Sequence, residues 1–114
     1  MIFTVSLCSN QEFLRTYRRG KSVVTKYYVL YFFKNKKKVN RLGITVSKKI
    51  GNAVVRNRAR RIIKESYRQL ESNLITGYDI VIVARRRIIT MNQKDVQKAL
   101  DQEFQKTGLS KNDV

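Results

Sequence analysis

Histidine is absent from the 114-residue chain, and cysteine occurs once, at Cys8. Without an imidazole there is no ordinary general base near neutral pH and no zinc-finger ligand set. A single thiol cannot close an internal disulfide, and it suits a reducing compartment. Carboxylates are scarce: 8 Asp and Glu stand against 25 Lys and Arg, a formal charge of +17. From Phe13 to Lys64 there are 17 basic residues and no acid at all. The acids gather mostly from Glu65 onward and form no cluster suited to a two-metal site. There is no HExxH, no Cys–His pair and no Gly-rich phosphate loop, since Lys48 with Gly51 lacks the second glycine. Catalysis by the protein alone is therefore not expected.

No internal repeat, low-complexity tract or second domain is visible. The length suits one domain, residues 1–114, with a modest core and a frayed tail over 109–114. The segment Met1 to Leu7 is apolar but lacks a basic n-region and is too short for a signal peptide or a span. A soluble, intracellular protein is expected. The charge balance points to nucleic acid or an anionic surface.

The chain is organised around Arg41 to Glu65, RLGITVSKKIGNAVVRNRARRIIKE. Leu42, Ile44 and Val46 alternate with Gly43, Thr45 and Ser47, the period-2 pattern of a half-buried strand. A helix starts near Asn52, an N-cap residue. At about 100° per residue, Val55, Ala59, Ile62, Ile63, Ser66 and Leu70 share an apolar arc. The opposite arc carries Asn57, Arg60, Arg61, Lys64 and Arg68, with Arg56 and Arg58 on the shoulders and Glu65 beside Arg58. Solvated helix faces usually mix signs so that i, i+4 pairs form. This face leaves its repulsion uncompensated, which makes a polyanion the expected partner.

Residues 10–19, NQEFLRTYRR, read as a short helix capped by Asn10 and stopped at Gly20, with Phe13 and Tyr17 on one face. Residues 22–33, SVVTKYYVLYFF, are β-branched and aromatic without Gly or Pro, a strong strand signal. Tyr28, Leu30 and Phe32 share one face and Tyr27, Val29, Tyr31 and Phe33 the other. With strand 41–47 as its hairpin partner, one face is expected to meet the core. The other is expected to stay open and aromatic beneath the first helix. Rings beside arginines and small polar groups suit unstacked nucleotides. The plain alternative is that Tyr31 packs against Tyr17. Residues 34–40, KNKKKVN, read as a basic hairpin loop and 71–77 as a loop ending at Gly77. Asp79 to Ala84 reads as a buried strand closing a βαβ unit. Arg85 to Arg87 exit into a turn. Residues 92–106 form a last helix, capped by Asn92 and Asp95, with Val96, Ala99, Leu100 and Phe104 inward and Gly108 at its end.

The run Lys48-Lys49-Ile50-Gly51-Asn52-Ala53-Val54-Val55-Arg56-Asn57-Arg58, with Arg60, Arg61 and Lys64 after it, resembles the protein subunit of bacterial ribonuclease P. The order around it is similar as well: a Glu-Phe helix ending in Gly20, Ser22-Val23, the aromatic strand, Arg41-Leu42-Gly43 and a strand ending Ala84-Arg85. The resemblance spans about residues 7–106. It implies an α/β fold, an α+β sandwich in αβββαβα order with about four strands and three helices. It also implies a left-handed βαβ crossover, against the general rule.

The function implied is binding of a catalytic RNA that removes the 5′ leader from precursor tRNA, in the cytoplasm and with no membrane partner. Magnesium would be held mainly by the RNA, and the protein would supply no catalytic residue. The resemblance places the RNA-subunit face at Lys48, Lys49, Asn52, Arg56, Asn57, Arg58, Arg60, Arg61 and Lys64. It places a leader-binding cleft at Phe13, Tyr17, Tyr31 and Thr45. Tyr17 stands where many members carry phenylalanine, a change that preserves stacking. A structural ribosomal RNA-binding protein would share the charge and size, and a protein-only nuclease would cleave without added RNA.

Overall fold

The computed structural model describes residues 4–7 and 9–111; residues 1–3 of the apolar Met1–Leu7 segment, Cys8, and residues 112–114 of the expected frayed tail lie outside that range. The elements run β1 (Thr4–Ser6), α1 (Asn10–Arg19), β2 (Lys21–Val24), β3 (Tyr28–Lys34), β4 (Asn40–Thr45), α2 (Ala53–Leu70), β5 (Tyr78–Ala84) and α3 (Gln93–Thr107). The sheet has five strands in the order β1-β4-β5-β3-β2, one strand more than expected. The additional strand is β1, three residues parallel to β4 and too short to leave a periodic signal.

The stretch 22–33 is two strands, because Thr25 folds the chain back on itself. Its hydroxyl accepts from the Tyr27 and Tyr28 amides and donates to the Tyr28 carbonyl. Tyr27 accordingly packs against the core instead of sharing a face with Tyr31. The second correction concerns pairing. β5 lies between β3 and β4, antiparallel to the first and parallel to the second, so 34–40 is not the loop of a hairpin.

The core lies on one side of the sheet. Tyr28, Leu30, Phe32, Leu42, Val46, Ile80 and Ile82 meet Ala59, Ile63 and Tyr67 of α2 and Val96, Leu100 and Phe104 of α3. Tyr67, absent from the helical arc drawn from the sequence, is fully buried, crosses Phe104 edge-on at 6.2 Å and shares a hydrogen bond of 2.9 Å with Thr4. Burial pushes its phenol up to about 12. Ser66 enters the core because its hydroxyl donates to the Ile62 and Gln93 carbonyls.

The Leu42 side chain points into this core while its carbonyl accepts from the Leu7 amide on the β1 side. For an L-residue those two directions put β5 to the left of β4 when viewed from α2. The β4–α2–β5 crossover is therefore left-handed, the rare hand.

Helix ends follow local chemistry. Ser9, not Asn10, caps α1 and forms a capping box with Glu12. Asn52 caps α2, and Asn92 with Asp95 caps α3, which ends at the left-handed Gly108. Gly20 is extended rather than left-handed; a Cβ there would sit 2.4 Å from the Thr16 carbonyl oxygen and 2.7 Å from that of Phe32. The expected fraying from 109 onward does not hold for 109–111. Leu109 and Ser110 are buried, the Leu109 carbonyl accepts from Ile75, and Lys111 donates to Asn73.

Candidate nucleic-acid interface

α2 turns one face outward by the same periodicity that buries the other. Asn57, Arg58, Arg60, Arg61 and Lys64 are exposed, and Arg56 is half-buried. Lys48 and Lys49 stand exposed on a 3-10 turn before the helix, beside Asn52, whose side chain accepts from the Val55 amide. Ion pairs among the described residues involve only Arg15, Arg41 and Arg68. All seven Lys and Arg of the expected RNA face are thus without a carboxylate partner among the described residues.

Two of them are held by neutral partners. Arg58 donates to the Met91 carbonyl at 3.4 Å and Arg60 to the Asn57 side chain at 3.2 Å. The Arg56 Nε is buried with no acceptor among the described residues. Glu65 lies beside Arg68 rather than Arg58. It is bound at 2.6 and 2.9 Å by that guanidinium and at 3.0 Å by Gln69, and the Arg68 hydrogen bonds hold its carboxyl down at about 2. Arg68 thus leaves the uncompensated set. Between α2 and the start of α3 runs a groove of about 560 Å³, with Arg58, Arg61, Lys64 and Arg68 on its walls and Ile62 and Gln93 among its lining.

Parallel pairing of β4 and β5 also brings together two basic runs that the sequence keeps apart. Arg86 donates to the Lys49 carbonyl at 3.3 Å, so Arg85–Arg87 stand beside Lys48 and Lys49. The arginine run was visible in the sequence, but its neighbour depends on strand order.

The opposite face of the sheet is laid out in rows set by the strand register. Arg41, Asp79 and Phe33 form one row, Gly43, Val81 and Tyr31 the next, and Thr45, Val83 and Val29 the third. α1 lies across them. In the first row Asp79 is fully buried and accepts from Arg41 Nε and Nη2 at 2.7 Å each and from Asn35 at 2.9 Å. Arg41 reaches on to Glu12 of α1. Arg15 of α1 lies 5.7 Å above the Phe33 ring and 3.7 Å from Asp79. Arg41 therefore belongs to an internal clamp, although it sits inside the acid-free run.

In the second row a Cβ on Gly43 would meet the Phe13 ring at 2.5 Å, so glycine is what lets α1 come down on the sheet. In the third, the Tyr17 hydroxyl is 3.3 Å from that of Thr45. An open groove of about 520 Å³ is lined by Asn10, Phe13, Leu14, Tyr17 and Thr45. Three of the four expected cleft residues thus line one groove. Tyr31, the fourth, lies under Tyr17, edge to face at 4.8 Å, and supports that ring instead of lining the opening. Asn10 and Leu14 were missed as lining, because a helical face is narrower on paper than the groove it borders.

The family model described as Ribonuclease P matches residues 3–108. A ribonuclease P protein component from Clostridium botulinum is 48% identical over 101 residues, 88% of this chain and 91% of its own. The corresponding protein of Caldanaerobacter subterraneus subsp. tengcongensis is 45% identical over 103 residues, 90% of this chain and 89% of its own. Among solved structures, the Staphylococcus aureus RNase P protein superposes with a TM-score of 0.84 at 34% identity, covering 92% of this chain and 96% of that one. The Thermotoga maritima RNase P protein does so at 0.78 and 30%, covering 86% and 93%. Family model, relatives and folds agree over nearly all of the chain: it belongs to the ribonuclease P protein-component family.

Proposed function

We propose that this chain, as one domain, docks a catalytic RNA subunit through the α2 face and grips the 5′ leader of precursor tRNA in the groove under α1. The family makes it part of the endoribonuclease that matures tRNA and gives it an RNA partner. The observation that carries the finer reading is the seven cations between Lys48 and Lys64, which make no ion pair among the described residues and follow in the chain just after Thr45 of the ring-lined groove. Cations there offset phosphate repulsion between two RNAs, and stacking at Phe13 and Tyr17 holds single-stranded leader without demanding a sequence.

Bond breaking is assigned to the RNA. Among the described residues no three His, Cys, Asp or Glu side chains converge into a group that could hold a metal ion. The ions are placed on RNA phosphates, and no step is routed through a protein-held metal. No helix among the described residues is long and apolar enough to cross a membrane, and the cytoplasm is the proposed compartment.

Reconstitution tests this reading. Added to its cognate catalytic RNA at low magnesium, the protein should accelerate leader removal. Arg56→Ala or Arg58→Ala should weaken binding of the catalytic RNA and flatten the log–log salt dependence by about 1. Unchanged cleavage with and without protein, or leader removal by the protein without RNA, would overturn it.

A further inference from the structure

The outward side of α1 carries Gln11, Leu14, Arg15, Arg18 and Arg19, which border a second groove of about 330 Å³. Leu14 lines this groove and the ring-lined one alike, so the two are continuous over one half-exposed apolar side chain. Cations in the last turn of a helix are ordinary, because they face the negative end of its dipole. Their isolation here is not explained that way. Glu12, the acid of α1, is turned inward to Arg41 and the Ser9 amide. Arg18 and Arg19 are exposed and make no ion pair among the described residues, and Lys21 follows them, exposed in β2.

We infer that the outer face of α1 is a second backbone site for the same single strand, engaged by leader nucleotides further 5′ than those in the ring-lined groove. The inference rests on the leader reading above. A strand held near Lys48 and Lys49 at its cleavage end passes Thr45, Tyr17 and Phe13. It then crosses Leu14, whose exposed side chain offers a sugar or base an apolar support, and meets Arg18 and Arg19. Contacts from Arg18 and Arg19 to phosphates carry no sequence information, so the site responds to leader length. α1 is about 15 Å long, so the face serves only a few nucleotides.

The test uses the reconstituted holoenzyme with precursor tRNAs of two leader lengths, one ending within the ring-lined groove and one several nucleotides longer. Arg18→Ala/Arg19→Ala should bind the short-leader substrate like the unaltered protein and lose the extra affinity that the longer leader confers. Its salt slope on the long substrate alone should fall by about 1.4, about 0.7 for each single-strand phosphate contact. Arg18→Lys/Arg19→Lys should restore both. Equal weakening for both leaders, or no change for either, overturns the inference. Tyr17→Ala, run in parallel on the short leader, separates the two levels: no effect there sinks the groove reading itself. An effect there with a silent arginine pair sinks only the extension.

Discussion

The two faces of the sheet are held by different physics. Beneath α2 and α3 the sheet is covered by interlocked aliphatic and aromatic side chains, with Leu30, Ile63, Ile82 and Leu100 fully buried. Beneath α1 the contact is thinner, and its strongest interactions are the charged bonds of Arg41, Asp79 and Glu12. An apolar cover closes a surface, whereas a clamp at one row fixes a helix and leaves the next rows free. That difference is why Phe13 and Tyr17 can be both well placed and half exposed.

The sharpest way to break this comparison is Asp79→Ala. It leaves the nearly buried Arg41 without its bidentate partner, and unfolding in urea should show a loss of about 3–5 kcal/mol. That matches the about 2–5 kcal/mol expected for Ile63→Ala on the other face. A loss near the about 1 kcal/mol of a surface pair would mean that packing alone seats α1. Next in size, Tyr17→Ala should cost roughly 1–3 kcal/mol of leader binding, with leaderless tRNA unaffected. Tyr31→Ala should act in the same direction through loss of Tyr17's support. Tyr17→Phe sharpens the point: the ring stays and only the bond to Thr45 goes, so the change should stay within about 0.5–1.5 kcal/mol.

The smallest effect belongs to Glu65. Its carboxyl lies near 2 because Arg68 donates to it, so that pairing operates above the ordinary carboxylate range and fades as pH falls toward 2. In Arg68→Ala the carboxyl should return toward about 4.3, followed by its carbon resonance in an NMR titration. An unmoved titration would show that Gln69 suffices.

Much of this was legible beforehand because it is local. The alternation of Leu42, Ile44 and Val46, the arc Val55–Ala59–Ile63 and the caps at Asn52 and Asn92 each depend on neighbours within a turn or two. The outward cations of α2 followed from that arc. What failed to show depends on distant partners. That β5 separates β3 from β4 cannot be read from three strands that each look self-sufficient. Arg41 showed only as one cation of an acid-free run, because Asp79 lies 38 positions later, across a strand pairing that the sequence does not disclose. Asn40 gave no signal either, although its side chain binds the Ile75 carbonyl and the Tyr78 amide and so fixes the entry to β5. Of the site, residue types and their helix were legible, while Tyr31's place under Tyr17 required the register of β3 on β5.

The central position of β5 also governs how the molecule comes into being. As the chain leaves the ribosome, β1 to β4 are complete well before Tyr78 is made, yet the two halves of the sheet have no common edge to join until it arrives. Until then Arg41 lacks Asp79, and α1 lacks the buried carboxylate toward which Arg41 and Arg15 both reach. Such long-range closure is slow and leaves unfinished edges exposed. The seating of α1 across the sheet is thus withheld until β5 has been made.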